Sequence, residues 1–375
     1  MELLIKKYFS ELETDQEYKG NFFNIRAAVT ITILGTFCGL KDMQRIHQWA
    51  TNERIVAFLN KNFGILKIPC YSWFTQILGL IDPKRFSECF TNWVINYWEL
   101  DLKGKVLSLY GKTVRSTAKM KAYNNPLHIV SAQIANLGIT LGQEAVESKS
   151  NEIPAVRRLL EFLNIEGCLI VADALNCQKE TVKTIVENGG DYLLSVKDNQ
   201  KELKNEIADF VQDDDLRKTM DCAAKKELSR NRIETRTAYT TWDIDWIFGK
   251  EEWTDLACIG AINTQFETEN GKSNEWHYYI SNRKLSAQDL LDFARLEWSV
   301  ETMHWLLDVH FGEDFCRAID QNIQENLNII RKMVLNIITE YKNTTNSKQP
   351  FSQIMFDCLM NPEKILFIME NYAKN

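Results

Sequence analysis

CLIVADALNCQKE, residues 168–180, decides the architecture. From Cys168 to Ala172 no polar residue intervenes, the pattern of a central strand buried on both faces. Asp173 sits at its carboxyl end. Immediately upstream, SNEIPAVRRLLEFLNI (150–165) places Ile153, Val156, Leu159, Leu160 and Leu163 on one side of a helix that Ser150 or Asn151 can cap. Further back, KVLSLYG (105–111), PLHIVSAQIA (126–135) and GITLGQEAV (138–146) are short β-type runs separated by glycine or polar turns, which predicts consecutive antiparallel strands. Downstream, QKETVKTIVENGG (178–190) predicts a helix, DYLLSV (191–196) a strand, and KDNQKELKNEIADFV (197–211) another helix.

Strands, helix, strand, helix, strand in this order is the succession of a ribonuclease-H-like fold, so the class is α/β. Between about 213 and 282 the chain turns β-rich again, with RIETRTAYTTW (232–242), LACIGAIN (256–263) and WHYYIS (276–281) as strand candidates, and this reads as an insertion in the core. Residues 1–100 predict an all-helical N-terminal domain: 22–40, 41–63 and 82–100 each repeat apolar residues at helical spacing, and Asp82-Pro83 marks a helix start. Trp49, Phe58, Phe63, Trp73, Phe74, Phe86 and Trp93 read there as core packing rather than base-stacking platforms. The resulting division is 1–100 helical, 101–345 the ribonuclease-H-like core, and 346–375 a helical tail.

A chain of 375 residues, 45% hydrophobic and 25% charged, is ordinary for a globular protein. Nine cysteines, scattered without a Cys-x-x-Cys pair, suggest neither a disulfide framework nor a zinc site and fit a reducing cytoplasm. The start lacks the order of a signal peptide, and the apolar run 27–40 carries threonines and is too short to span a bilayer, so no membrane is expected. The net charge of −7 argues weakly against nucleic acid, yet it averages over unlike segments. Residues 102–143 contain no acid while Lys103, Lys105, Lys112, Arg115, Lys119 and Lys121 fall there, and Lys225, Lys226, Arg230, Arg232 and Arg236 form a second basic group partly balanced by Glu227 and Glu234. Either cluster taken alone could equally be a solvated face.

The last large element is predicted as a single helix from Ser286 to about Phe311. Its wheel puts Leu296, Val300, Met303 and Leu307 on one side and Glu297, Glu301, His304 and Asp308 on the other, with Trp298 and Trp305 bordering the acidic stripe. By itself such a stripe is an ordinary solvent-facing surface.

Taken jointly, DALNCQKE (173–180), GGDYLLSVKDNQ (189–200), RIETR (232–236), EWSVETMHWLLDVHFGEDFCR (297–317) and QENLNIIRKMVLNII (324–338) resemble the ISAs-type insertion-sequence transposases, also called H-repeat-associated proteins, whose catalytic domain is of the DDE type. KSNEIPA (149–155) and the helical amino-terminal segment extend the likeness over nearly the whole chain. The resemblance implies double-stranded DNA as partner, as inverted-repeat ends and target, with a homo-oligomer on that DNA, and two Mg²⁺ (or Mn²⁺) ions held by three carboxylates. It makes Asp173 the second carboxylate and Glu301 the third, both metal ligands. The first belongs in a pattern resembling D-G-K-T-x-R-G-S; this chain has YGKTVRST (110–117), with Tyr110 for the acid and Ser116 for the second glycine. A neutral phenol cannot supply a carboxylate's charge at pH 7. Lys112, Thr113 and Arg115 remain, placed to touch a phosphate or to pair with the acidic cluster, and Lys197, Arg232, Arg236 and His304 complete the expected DNA contacts. Glu297 departs from the basic or histidine residue usual there. Two readings stay open: a transposase impaired at Tyr110, and a catalytically inactive DNA-binding pseudoenzyme. A metallohydrolase of small phosphoesters is a third, disfavoured by the lack of a His-rich cluster.

Overall fold

The run Leu169–Ala172 forms β4, buried along its whole length. Its parallel neighbours are β1 (Val106–Thr113) and β5 (Asp191–Val196), while β2 (His128–Ile134) pairs antiparallel with β1 and β3 (Ile139–Val146) antiparallel with β2. The computed structural model describes residues 9, 12, 25–114, 127–146, 152–229, 232–268, 271–297, 299–316, 318 and 320–372, with the main chain alone at 229, 232, 268, 272, 299, 371 and 372.

The segment read as an insertion is β-rich, and it continues the sheet. β6 (Asp221–Ser229), β7 (Arg232–Thr241), β8 (Cys258–Thr268) and β9 (Gly271–Ser281) form an antiparallel meander whose last strand pairs with β5, giving one sheet in the order β3-β2-β1-β4-β5-β9-β8-β7-β6. β6 was not predicted from sequence, because CAAKKELS lacks the β-branched and aromatic residues that mark strands.

In the helical segment the helices are α1 (Ile25–Phe37), α2 (Met43–Ala50), α3 (Glu53–Phe63), α4 (Tyr71–Gly79) and α5 (Pro83–Tyr97). The single helix expected over 41–63 is two. Asn52 leaves helical geometry and its side chain accepts from Arg54 N–H, so the second helix starts with its own cap. Helix α4 was missed; Cys70 ahead of it makes no side-chain cap to announce it. Asp82 caps α5 with Pro83 at its first position, as the sequence predicts. Phe58, Phe74, Phe86 and Trp93 are core, and Trp49, Phe63 and Trp73 pack against it.

Between β3 and the insertion lie α6 (Glu152–Phe162), α7 (Lys179–Glu187), α8 (Lys201–Gln212) and the short α9 (Asp214–Arg217). After the sheet come α10 (Ala287–Glu297), α11 (Ser299–Val309), α12 (Gln321–Thr345), α13 (Phe351–Met360) and α14 (Glu363–Tyr372). Helices α10 and α11 together cover most of the span 286 to 311 predicted as helical, with residue 298 between them outside the described residues. The apolar side of this span serves two clusters: Leu296 packs with the cluster around Val106, Val171 and Leu193, whereas Val300, Met303 and Leu307 join the larger core.

Helix α12 ties the parts together. Asn336 donates to the Thr140 carbonyl (2.8 Å) and accepts from its N–H (2.9 Å), covering the β3 edge, and Asn326 donates to the carbonyls of Leu78 and Ile81 below α4. One apolar cluster runs from Ile31 and Phe74 in the helical segment through Leu141 to Ile330. No helix among the described residues is long and apolar enough to cross a membrane.

Candidate active site at the ends of the central strands

Register defines the site. Leu109 of β1 pairs with Ala172 of β4, which pairs in turn with Leu194 of β5. One residue on, Tyr110, Asp173 and Ser195 stand at the same level of three adjacent parallel strands. Because side chains alternate along a strand, Tyr110 shares the face of Val106 and Ser108, Asp173 that of Leu169 and Val171, and Lys197 that of Leu193. This is the face α10 covers: Val106, Leu169, Val171 and Leu193 form one cluster with Leu290, Leu291 and Ala294.

The end of α10 is pinned over β1, where Ser108 Oγ donates to the Leu296 carbonyl at 3.3 Å. Glu297 follows directly. Burial raises its carboxyl to about 8, the Asp173 charge adds to that, and Lys197 opposes it. The electrostatic neighbour of Asp173 on the covering helices is thus Glu297. Asp173 and Glu301 are both exposed, and Asp173 accepts a hydrogen bond from Asn176 Nδ2 at 3.1 Å.

Tyr110 is turned into the core, 7% exposed, with its hydroxyl 3.6 Å from Met303 Sδ and its ring edge-on to His304 at 5.0 Å. Burial pushes the phenol far above its ordinary pKa, so it stays neutral. Around it lies a charged group that keeps Lys112 occupied. Lys112 Nζ donates to Asp308 at 2.6 Å and pairs with Glu313. Burial would raise the Glu313 carboxyl, but Lys112 and Lys332 outweigh it and hold it low. Lys332, 2% exposed, donates to Ser131 Oγ at 2.7 Å and lies 6.0 Å from the Tyr110 ring centre. Burial lowers its amine to about 7, against the pull of Glu313. Of the two roles open to Lys112, the structure shows the pairing. His304 has its Nε2 buried without a hydrogen-bond partner, and burial followed by the Lys112 charge lowers its pKa to about 4. A neutral, inward imidazole offers no charge to a phosphate.

The remaining expected contacts are dispersed. Lys197 is exposed just beyond β5. Arg236 pairs with Glu234 and approaches Glu227 at 4.0 Å, and Glu227 also meets Lys225 and Arg295, so acids answer the basic group on the β6–β7 hairpin. Arg115, Ser116, Arg230 and Trp298 lie outside the described residues, as does the Arg232 side chain. Sequence reading passed over His128, Glu152 and Asn176, which form a buried polar chain leading to Asp173. Isolated in sequence, each has an ordinary local explanation; only the pairing of His128 with Thr113 across β1–β2 reveals the group.

Among the described residues no three His, Cys, Asp or Glu side chains are grouped so as to hold a metal ion. With Tyr110 neutral and buried, the donor set does not fit the two-ion centre that three carboxylates would make.

A mixed sheet with an acid at the end of an interior strand, and helices laid over that sheet, agrees with what family comparison shows: the chain belongs to the transposase DDE domain family, whose model matches residues 109–337. The model described as DDE_Tnp_1-associated matches residues 6–94. The chain is 30% identical over 354 residues to the H repeat-associated putative transposase YhhI of Escherichia coli (strain K12), covering 90% of this chain and 92% of the relative. The same figures hold for Putative protein YbfL of that strain. The H repeat-associated putative transposase YbfD is 34% identical over 209 residues, covering 55% of this chain and 81% of the relative. Among solved structures, a piggyBac transposase synaptic complex with hairpin DNA aligns over 99% of this chain and 78% of that one at a TM-score of 0.47 and 9% identity, a likeness that carries no argument about the site.

Proposed function

We propose that this chain is an insertion-sequence transposase that binds double-stranded DNA ends and whose phosphodiester chemistry is impaired at Tyr110. The observation that carries the reading is the register: Tyr110 stands level with Asp173, where a first-strand acid would share a cation with it, and is instead neutral and packed on Met303 and His304. The order β3-β2-β1-β4-β5, with β2 alone reversed, supports a ribonuclease-H-like core.

In a three-acid centre a divalent ion would polarise the scissile phosphate; here Asp173, Glu297 and Glu301 are the candidate acids, and a proton on the half-buried Glu297 would offset the crowding of charge. Lys197, exposed on the Asp173 face, is the cation best placed for a phosphate, with Arg115 and Arg232 as further contacts. A DNA-binding pseudoenzyme is the second reading, favoured by the lack of a three-donor group among the described residues. Both are tested by incubating the unmodified protein and Tyr110→Asp with DNA carrying the element's inverted repeats in Mg²⁺ or Mn²⁺. Impairment predicts nicking by the variant far above that of the parent; no nicking by either supports the pseudoenzyme. Robust end-specific cleavage by the unmodified protein refutes both.

A further inference from the structure

On the sheet face opposite α10, a chain of buried polar groups runs from β1 to Asp173. Thr113 Oγ1 and His128 Nδ1 share a hydrogen bond of 2.9 Å, and His128 Nε2 donates to Glu152 Oε2 at 2.7 Å. Asn176 Nδ2 lies 3.4 Å from Glu152 Oε1 and 3.1 Å from Asp173 Oδ1, so a single amide bridges two carboxylates. His128, Glu152 and Asn176 are 3%, 2% and 0% exposed.

Two features set this group apart from ordinary core packing. Carboxylates accept and do not donate, so the amide must turn its nitrogen toward them; its Oδ1 is then left buried with no partner. An orphaned acceptor in the interior is unfavourable, and an apolar residue of the same shape would avoid it. The second feature is Gly111, between Tyr110 and Lys112. A Cβ there would fall 2.7 Å from Glu152 Oε1 and closer still to the rest of that carboxylate, so the backbone of β1 is kept bare to make room for it.

We propose that Asn176, anchored by Glu152 and His128, is a positioning residue for Asp173, fixing the orientation of the carboxylate at the end of β4. The Glu152–His128 pair holds the amide, and the amide holds the acid by its remaining N–H. Outer partners of this kind orient a ligating carboxylate before the cation arrives. The inference rests on the reading of Asp173 as a metal-binding acid only for its consequence in binding; the orientation of Asp173 is a separate observable.

The test uses the full chain in two arms. The first compares crystal structures of the parent and of Asn176→Leu, an apolar side chain of similar size. The Asp173 carboxylate is expected to leave its present orientation or to occupy several; one unchanged orientation overturns the proposal. The second arm titrates Mn²⁺ calorimetrically into Tyr110→Asp, with and without Asn176→Leu or Glu152→Gln, and measures thermal unfolding alongside. Affinity should fall by about ten- to a hundredfold, with thermal unfolding showing that each variant is still folded. Affinity within twofold of the parent in folded Asn176→Leu overturns the proposal. If Tyr110→Asp itself binds no Mn²⁺, the metal-site reading fails, and the first arm still decides the positioning role.

Discussion

Tyr110 and Asp173 each follow directly on the paired residues Leu109 and Ala172 of two adjacent parallel strands, one buried in the core and the other exposed. On the proposed reading, position 110 is where an acid on β1 would share a cation with Asp173. Replacing Tyr110→Asp should raise Mn²⁺ affinity and end-specific nicking by orders of magnitude, and adding Asp173→Asn should abolish both. Loss of the buried ring should cost about 3–5 kcal/mol of stability, partly offset by the nearby Lys332 ammonium. Tyr110→Phe should leave DNA affinity and nicking where they were. A gel assay for nicking and a denaturant titration check each part.

Lys112 is a structural cation here, so its reversal should unfold the protein rather than weaken DNA binding alone. Lys112→Glu places a third acid beside Asp308 and the buried Glu313, and breaking such a pair costs roughly 3–5 kcal/mol. Lys112→Met should be milder. Circular dichroism melting of the two variants separates these outcomes; equal melting temperatures for Lys112→Glu and the parent would contradict the buried-pair account.

DNA affinity should decline steeply with salt despite the net charge of −7, because phosphate contacts release counterions. Reversing Arg115, Lys197 and Arg232 together should remove most of the affinity and flatten that slope while circular dichroism stays unchanged. If binding survives intact, the helical segment before β1 carries the DNA instead.

Lys332 gives the fold a pH dependence with a defined sign. Its folded amine is protonated only below about 7, whereas the unfolded amine keeps its proton up to about 10.4. Between these values the unfolded state binds more protons, so stability should rise from pH 7 toward pH 9.5, and the penalty is fully present below pH 7. Urea midpoints at pH 7 and 9.5 should differ for the parent and converge for Lys332→Met.

Gly111→Ala should destabilise by about 1–3 kcal/mol through overpacking, because the added methyl displaces the Glu152 carboxylate. Pairing it with Glu152→Ala should restore part of the loss, measured as a coupling in urea unfolding.

The central strands were legible because burial on both faces leaves an unbroken apolar run such as Leu169–Ala172, and Asp82-Pro83 announced α5 by local geometry alone. What failed was a break with no proline or glycine to mark it: Asn52 divides one predicted helix. β6 escaped because Lys225, Lys226 and Glu227 read as a solvated run, and only pairing with β7 makes it a strand. The placement of Asp173 directly after β4 was legible from the sequence. The surroundings were not, since Tyr110 meets His304 and Lys332 only when β1, α11 and α12 come together.

The continuous sheet also has a mechanical meaning. Rows of main-chain hydrogen bonds run without interruption from β6 at one rim, through β9 and β5, to β4 and β1. A tug on the outer hairpin is borne by a stiff plate rather than dissipated in a hinge, and it arrives at the strand ends where Lys197 and Asp173 stand. The β-meander is in this sense a handle on the strand ends beside it.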